Sequence, residues 1–260
     1  KGLEPLAGVI TLQMIKTPLI EEAAKYVDAE KGVTTAEEAI AGASDIIAES
    51  ISDEADYRTH IRDLTVKKGR MTSTAKDPET ESVYEMYYDF DEPVAKLAGH
   101  RILAVNRGEK EKFLTVKIEA PQEDILRYLE KKVIVRDNPQ TNEVLRDVVR
   151  DAYDRLIAPA IEREIRSNLT ERAEDGAIRV FGKNLEQLLM QPPIAGQVVL
   201  GWDPAFRTGC KLAVVDPTGK VLDTTVIYPT APQNKVAEAK AVLKKLIAKY
   251  HITLISLGNG

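Results

Sequence analysis

The chain is poor in the residues that build several common kinds of site. Only 5% of its 260 residues are aromatic, whereas modules that bind single-stranded nucleic acid by base stacking are usually richer in aromatic rings. The one cysteine, Cys210, excludes an internal disulfide and fits a reducing cytoplasm. Three histidines and one cysteine, widely scattered, do not make a zinc site. We therefore expect no metal site and no other cofactor.

Long apolar runs are also missing. No run approaches the roughly 20 residues that a membrane-spanning helix needs, so we expect no membrane partner. The first residues, Lys1-Gly2-Leu3-Glu4, contain neither an initiator methionine nor the apolar core of a signal peptide. The chain does have 43% hydrophobic and 30% charged residues, which suffices for one large domain or two ordinary ones with a heavily solvated surface.

Charge is unevenly distributed along the chain. The formal net charge is -5. Residues 196–260 hold seven Lys and one Arg against three Asp and one Glu, a net charge of +4, which leaves -9 for residues 1–195. A mildly basic carboxyl-terminal part on an acidic scaffold permits local contact with nucleic acid without requiring it.

Helical patterns fill the beginning of the chain. Residues 1–68 are predicted to form short helices in series, and their ordinary role is packing. Thr35 and Glu38 have the spacing of a capping box and predict the start of one helix. Ser52 or Asp53 is predicted to cap the next helix.

The pattern is weaker between residues 71 and 119. Residues 71–78 are polar and predicted to be loose. Three tyrosines within Val83–Phe90 fit the packing of a small subdomain, with a platform for base stacking as the alternative. A helix closed by Gly108 is predicted next, followed by one alternating strand over Phe113–Ile118.

Residues 121–192 return to a helical pattern. Apolar residues keep a spacing of three and four, and Pro159 within this pattern is predicted to kink the helix. Pro192-Pro193 is predicted to end the last helical run. Densely charged opposite faces indicate solvated helix surfaces with ion pairs between residues four apart.

The hydrophobic period changes at Gly196. Three strands in hairpin order, then a helix and a returning strand, predict an α/β sheet with a crossover connection. The predicted strands are Gln197–Trp202, Lys211–Val215, Val221–Tyr228 and Ile252–Leu257, and the predicted helix is Asn234–Tyr250.

Two runs resemble a known family. Gly201–Lys211, GWDPAFRTGCK, resembles the signature of Tex-family proteins at the first strand of their YqgF-like domain, and His100–Glu109, HRILAVNRGE, resembles another run of that family. Further matches follow the family's order through nearly the whole chain. The resemblance implies a multidomain, mainly α protein: a helical scaffold followed by a partial α/β ribonuclease H-like (YqgF) domain with a mixed sheet. It also implies a cytoplasmic transcription accessory factor.

The resemblance suggests three segments. They are an amino-terminal helical region with a small irregular subdomain (1–120), long central helices (121–195) and the YqgF-like domain (196–260). It implies helix-hairpin-helix and OB-fold RNA-binding modules beyond this chain, which would then be a fragment whose YqgF-like domain is cut at its fourth strand. Ala205 stands where the family usually has Gly, which would carry a steric cost in a turn with positive φ.

Asp203 is the one candidate for a vestigial catalytic residue. By the resemblance, it matches the first metal-binding acid of ribonuclease H-like enzymes, but two-metal hydrolysis needs several converging carboxylates. Asn259 stands where resolvase-like nucleases carry an acid, and Asp216 fits a structural turn. An Asx-turn before Pro204 explains Asp203 equally well. We expect no enzyme activity; a metal-dependent or resolvase-like nuclease is the alternative.

Basic residues supply the candidates for contact with a phosphate backbone. Arg207 and Lys211 flank the turn after the first strand. Cations near a helix end also complement the helix dipole without any ligand. The expected partner is nucleic acid, RNA in particular, with the transcription machinery as a further candidate. No small-molecule substrate is expected. An interaction scaffold for transcription or translation proteins is the other alternative. The candidate residues are Arg207, Lys211, Arg101, Arg107, Lys67, Lys68 and Arg70.

Overall fold

The computed structural model describes residues 2–192 and 194–259. Lys1, Pro193 and Gly260 lie outside the described residues. Pro192-Pro193 is predicted to end the last helical run, and the Pro193 part of that prediction therefore lies outside them. The chain forms two compact units, Lys1–Asn184 and Leu185–Gly260. Within the described ranges, no helix is long and apolar enough to cross a membrane. The three segments expected from the sequence stay a prediction.

The first unit is built mainly from helices around one hydrophobic core, with a small sheet. That core includes buried side chains from Leu3 to Ala173. The eighth helix continues past the end of the unit. The helices are α1 (Glu4–Leu12), α2 (Leu19–Ala24), α3 (Ala36–Asp53), α4 (Ala55–Lys68), α5 (Gly99–Lys110), α6 (Gln122–Val133), α7 (Asn142–Asp151) and α8 (Ala158–Leu189).

Helix starts and ends follow local hydrogen bonding. The predicted cap of α3 is confirmed: Thr35 Oγ1 accepts a hydrogen bond from the Glu38 N–H at 3.2 Å. The prediction that Ser52 or Asp53 caps the next helix is wrong, because α3 continues through Asp53 and α4 begins directly after Glu54. The buried Ser52 belongs to the packed face of α3.

A three-stranded antiparallel sheet lies in the first unit, with strand order β2-β1-β3. Its strands are β1 (Arg70–Ala75), β2 (Asp89–Pro93) and β3 (Leu114–Glu119). The strand predicted near Phe113–Ile118 is therefore confirmed. The prediction of a loose segment at 71–78 is wrong for residues 71–75, because β1 is the central strand and its backbone pairs on both sides, whereas residues 76–78 form bends and a turn. The buried Ser73 hydroxyl donates to the Tyr87 carbonyl, so this polar residue is satisfied inside the unit.

The tyrosine cluster packs within the unit. Tyr84 and Tyr87 are buried, and the rings of Tyr87 and Phe90 meet edge to face with centroids 5.4 Å apart. These rings are therefore not available to stack on bases. Gly108 lies inside α5 instead of closing it, since the helix continues to Lys110.

The long helical region has a π-helical turn over Ala152–Ile157 that joins α7 to α8. Pro159 is the second residue of α8 and has no N–H to donate to the preceding turn. The helix irregularity predicted at Pro159 is therefore a π-helical turn that precedes the proline. After it, α8 continues from Ala158 to Leu189.

The second unit holds a four-stranded mixed sheet with strand order β6-β5-β4-β7. Strands β4 to β6 are consecutive antiparallel neighbours, whereas β7 pairs with β4 in parallel after a helical crossover. The predicted sheet with a crossover is confirmed, and with it the mainly helical fold class with a mixed sheet. The elements are β4 (Val199–Asp203), β5 (Cys210–Val215), β6 (Val221–Ile227), α9 (Val236–Tyr250) and β7 (Leu254–Leu257).

One face of this sheet is covered by α9. Leu200, Leu212 and Val214 are buried there in a cluster that includes Ala239 and Leu246 of the helix. Because side chains alternate between the two faces of a strand, their neighbours along β4 and β5 point to the opposite face. We call this opposite side the open face.

Candidate nucleic-acid interface

Asp203 and Lys211 lie opposite each other on the open face. Asp203 ends β4, and the antiparallel register of β4 and β5 pairs it directly with Lys211. Directly opposed residues of an antiparallel pair project to the same side of a sheet. Both residues are exposed. Arg207 lies exposed in the loop between the two strands. We call Asp203, Arg207 and Lys211 the rim.

A shallow depression of about 780 Å³ lies on the open face beside Asp203 and Lys211. A small residue on each of the four strands contributes to its lining, so an extended ligand could approach the strands closely there. Hydroxyl groups on the outer strands add hydrogen-bonding capacity. The small residues that line it are Gly201, Ala213, Thr224 and Ser256.

The loop that carries Arg207 is held by a glycine. Gly209 has a φ of +81°, a left-handed conformation that favours glycine. Among the described residues, the non-glycine residues with positive φ are Gln13, Lys112, Asn234 and His251. Ala205, in the same loop as Gly209, is not one of them, so the steric cost expected at Ala205 does not arise.

The acidic residues near the rim do not converge on a common point. In residues 2–192 and 194–259, no group of three or more His, Cys, Asp or Glu side chains is placed to hold a metal ion. The Asp203 carboxylate also accepts no hydrogen bond from another described residue, so an Asx-turn at Pro204 has no support. What remains at Asp203 is an exposed carboxylate facing a lysine across the sheet.

Two other acids of this unit have structural partners. Asp216 Oδ1 accepts hydrogen bonds from the Thr218 hydroxyl at 2.7 Å, the Thr218 N–H at 2.8 Å and the Lys220 N–H at 3.0 Å, which confirms its place in a turn. These bonds, the one from the Thr218 hydroxyl above all, lower the pKa of Asp216. Asp223 accepts a hydrogen bond from the Tyr250 hydroxyl at 2.8 Å, which lowers the pKa of Asp223.

The candidate cations of the first unit are mostly paired with carboxylates. A phosphate would have to compete with a carboxylate for each paired side chain. Lys67 is exposed and belongs to no ion pair within the described part of the chain. The pairs are Lys68 with Asp124 (2.7 Å), Arg70 with Asp91 (2.5 Å), Arg107 with Glu111 (2.8 Å) and Arg101 with Glu92.

Arg207 and Lys211 thus lie in one loop and in the strand that follows it, both in the second unit. The other five candidates belong to the first unit. Sequence analysis did not single out Lys240, Lys244 and Lys245, which lie exposed on α9. Their signal was present in the sequence as lysines four residues apart with a single acid on the same helix.

Comparison with known proteins matches both units to described families. Residues 16–181 match the model described as Tex central region-like, and residues 197–260 match the Tex protein YqgF-like domain. Together the two matches cover most of the chain, in the order that the sequence resemblance implied.

Curated relatives extend this similarity. The chain is 51% identical over 263 residues to "Uncharacterized protein YdcI" of Bacillus subtilis (strain 168), which covers 100% of the chain and 37% of the relative. It is 34% identical to "Transcriptional accessory protein Tex" of Neisseria gonorrhoeae, over 100% of the chain and 34% of the relative. It is 31% identical to "S1 RNA-binding domain-containing protein 1" of Homo sapiens, over 88% of the chain and 24% of the relative. The chain therefore spans about a third or less of these relatives' lengths.

Proposed function

The chain belongs to the Tex family, and from this premise we propose that it is part of a cytoplasmic transcription accessory factor that binds nucleic acid, RNA in particular. In this proposal the first unit is a scaffold. The ribonuclease H-like second unit is a platform that binds without catalysing hydrolysis. The names of two relatives, a transcriptional accessory protein and an S1 RNA-binding domain-containing protein, support this class of function.

The observation that carries the proposal is the state of the rim. Arg207, in the loop before β5, and Lys211, on β5, are both exposed, and neither belongs to an ion pair among the described residues. The open face beside them has a shallow depression of about 780 Å³. Exposed, unpaired cations next to a shallow surface are suited to positioning a phosphate backbone.

The arrangement around Asp203 supports a platform without catalysis. Hydrolysis by two metal ions needs several carboxylates around the metals. Asp203 instead has Lys211 directly opposite it, and the positive charge of Lys211 opposes the binding of a metal ion at Asp203. Full-length protein incubated with RNA and Mg²⁺ or Mn²⁺ should therefore yield no cleavage products. Cleavage that disappears in Asp203→Asn would establish the nuclease instead.

Salt-dependent binding tests the rim. We would measure fluorescence anisotropy of a labelled single-stranded RNA with the whole chain and with Arg207→Gln/Lys211→Gln, at about 50 and 200 mM salt. Each phosphate contact contributes about 0.7 to the slope of log affinity against log salt, so this variant should lower the slope by about 1.4.

Lys235→Gln/Lys249→Gln is the matched control. It removes the same charge from lysines that are already paired with Glu238 at 3.3 Å and Asp223 at 3.6 Å. The control should keep the slope of the unaltered chain. Equal slopes for all three proteins would reject the rim as a phosphate-binding site, and no RNA binding by the unaltered chain would reject the proposed function.

A second candidate function is a protein-interaction scaffold for the transcription machinery. The observation that favours it is a set of large apolar side chains exposed on α8: Ile178 at 67%, Val180 at 62% and Phe181 at 69%. Exposed apolar clusters mark protein interaction sites. Purified RNA polymerase should bind the chain and lose affinity for Ile178→Gln/Phe181→Gln. Equal affinity for both proteins would remove this candidate.

A further inference from the structure

The outward side of α9 carries lysines that repel one another. Lys240 and Lys244 are four residues apart, and so are Lys245 and Lys249. Residues four apart are neighbours on a helix surface, and like charges at that spacing destabilise the helix. Glu238 is the only acid on α9, so the helix cannot neutralise its own lysines.

Three of these lysines have no partner elsewhere either. Lys249 lies 3.6 Å from Asp223, but Lys240, Lys244 and Lys245 belong to no ion pair in the part of the chain that the structure describes. Three cations with no carboxylate partner among the described residues therefore lie close together on α9, between Lys240 and Lys245.

The strip between these lysines is formed by small residues. Ala239 and Leu246 are buried against the sheet and fix the inward side of α9. At 3.6 residues per turn, Ala241 and Ala248 fall on the opposite side, between the Lys240–Lys244 row and Lys245. Both alanines are exposed. A ligand can therefore lie close to the helix backbone with lysines on both of its flanks.

We propose that this face of α9, with Lys240, Lys244 and Lys245, binds the phosphate backbone of nucleic acid as a second contact surface. The inference rests on the proposed function and adds a surface to it. The α9 face is separate from the rim, because Lys211 projects from the open face whereas α9 covers the other one. A chain of phosphates complements rows of unpaired cations that repel one another, since binding relieves the repulsion and releases counterions.

An anionic membrane surface fits this face less well. Amphipathic helices that bind membranes insert a bulky apolar side between the lipid headgroups. The bulky side of α9, centred on Leu246, is instead packed on the sheet, and alanines occupy the outward strip. The observations therefore favour nucleic acid over lipid.

The test uses the whole chain and a fluorescein-labelled single-stranded RNA. Lys240→Gln/Lys244→Gln should lower the salt slope of binding by about 1.4, and weaken binding roughly 25-fold at 0.1 M salt, if each lysine contacts one phosphate. Lys235→Gln/Lys249→Gln removes the same charge from paired lysines of the same region and should keep the slope. Lys240→Arg/Lys244→Arg keeps the charge and should also keep it.

Each outcome decides a separate point. RNA binding with equal slopes in the Lys240→Gln/Lys244→Gln and control variants would overturn the α9 surface and leave the proposed function standing. Absence of RNA binding by the unaltered chain would overturn both. Loss of binding in the arginine variant would show that a fold defect, not charge, is responsible and would overturn the inference. The same proteins would also be tested for binding to phosphatidylserine vesicles. If Lys240→Gln/Lys244→Gln lost vesicle binding but kept the RNA binding of the unaltered chain, the inference would be overturned in favour of a lipid surface.

Discussion

Gly209 lies against the ring of Tyr228. A Cβ at position 209 would stand 2.4 Å from Tyr228 Cε1 and 2.7 Å from Val226 Cγ1, and the φ of Gly209 is +81°. Both the backbone conformation and the space around it therefore require glycine. The contact fastens the loop that carries Arg207 to β6, so the position of a rim cation depends on a packing contact.

Gly209→Ala should therefore destabilise the second unit more than Gly219→Ala does. Gly219 has a φ of +86° with nothing within 4 Å of its would-be Cβ, so alanine there carries only the conformational cost of about 1–2 kcal/mol. At Gly209 the clash adds about 1–3 kcal/mol. Trp202, the only tryptophan, reports the unfolding of this unit in urea by its fluorescence. Equal losses for the two variants would contradict the packing argument.

Asp203→Asn should strengthen RNA binding. The Asp203 carboxylate lies beside the place where Lys211 would hold a phosphate, and it repels that phosphate. Removing a repulsion of about 0.2–1 kcal/mol, the size of charge interactions between residues facing each other across a sheet, raises affinity up to roughly 5-fold at low salt. Asp203→Glu keeps the charge and should keep the affinity. Anisotropy titrations with the same RNA provide the measurement, and weaker binding by Asp203→Asn would argue that the acid itself takes part in binding.

A partly buried ion pair joins α5 to α8. Arg166 donates hydrogen bonds to both carboxylate oxygens of Glu109 and one at 3.3 Å to Asn106 Oδ1, and its side chain is 23% exposed. Arg166→Met should lower the free energy of unfolding by about 2 kcal/mol, because Glu109 loses its charged partner. Arg172→Met, at an exposed position of α8, should change it by less than about 0.5 kcal/mol. Urea unfolding followed by circular dichroism would compare them, and similar values for the two variants would refute the role of the pair.

The stability of the second unit should fall with acid partly through Asp216. Its pKa is lower in the folded state, so its stabilising effect is complete above the unfolded pKa of about 3.9 and is lost as pH falls through the lower folded pKa. Asp216→Asn should therefore lose less stability than the unaltered chain between pH 5 and pH 2, by Trp202 fluorescence in urea. Parallel pH profiles for the two proteins would show that Asp216 does not contribute.

The second unit could be predicted from sequence because its signals are local. Buried alternating strands, turn residues such as Asp216 and an amphipathic helix specify the sheet one element at a time. β1 could not be predicted in this way, because Met71 to Ala75 is largely polar. Its strand conformation depends on pairing with β2 and β3, and the Ser73 hydroxyl is satisfied by a carbonyl 14 residues away.

The same distinction between local and long-range contacts applies to the candidate site. Asp203 and Lys211 lie opposite each other because β4 and β5 are consecutive antiparallel strands, so their proximity depends on local sequence. The partner of Lys68 is 56 residues away and that of Arg70 is 21 residues away, so sequence could not show that these cations are already paired. The α9 lysines required no long-range information, since their spacing is visible in the sequence of the helix itself.

Cys210 is the only thiol of the chain and is 2% exposed, next to Lys211 at the start of β5. A reagent that alkylates it must wait until this strand parts from β4 or β6. The alkylation rate of Cys210 therefore reports how often β5, the strand that presents Lys211, opens locally. A ligand bound at the rim would lower this rate, whereas a ligand bound elsewhere would leave it unchanged.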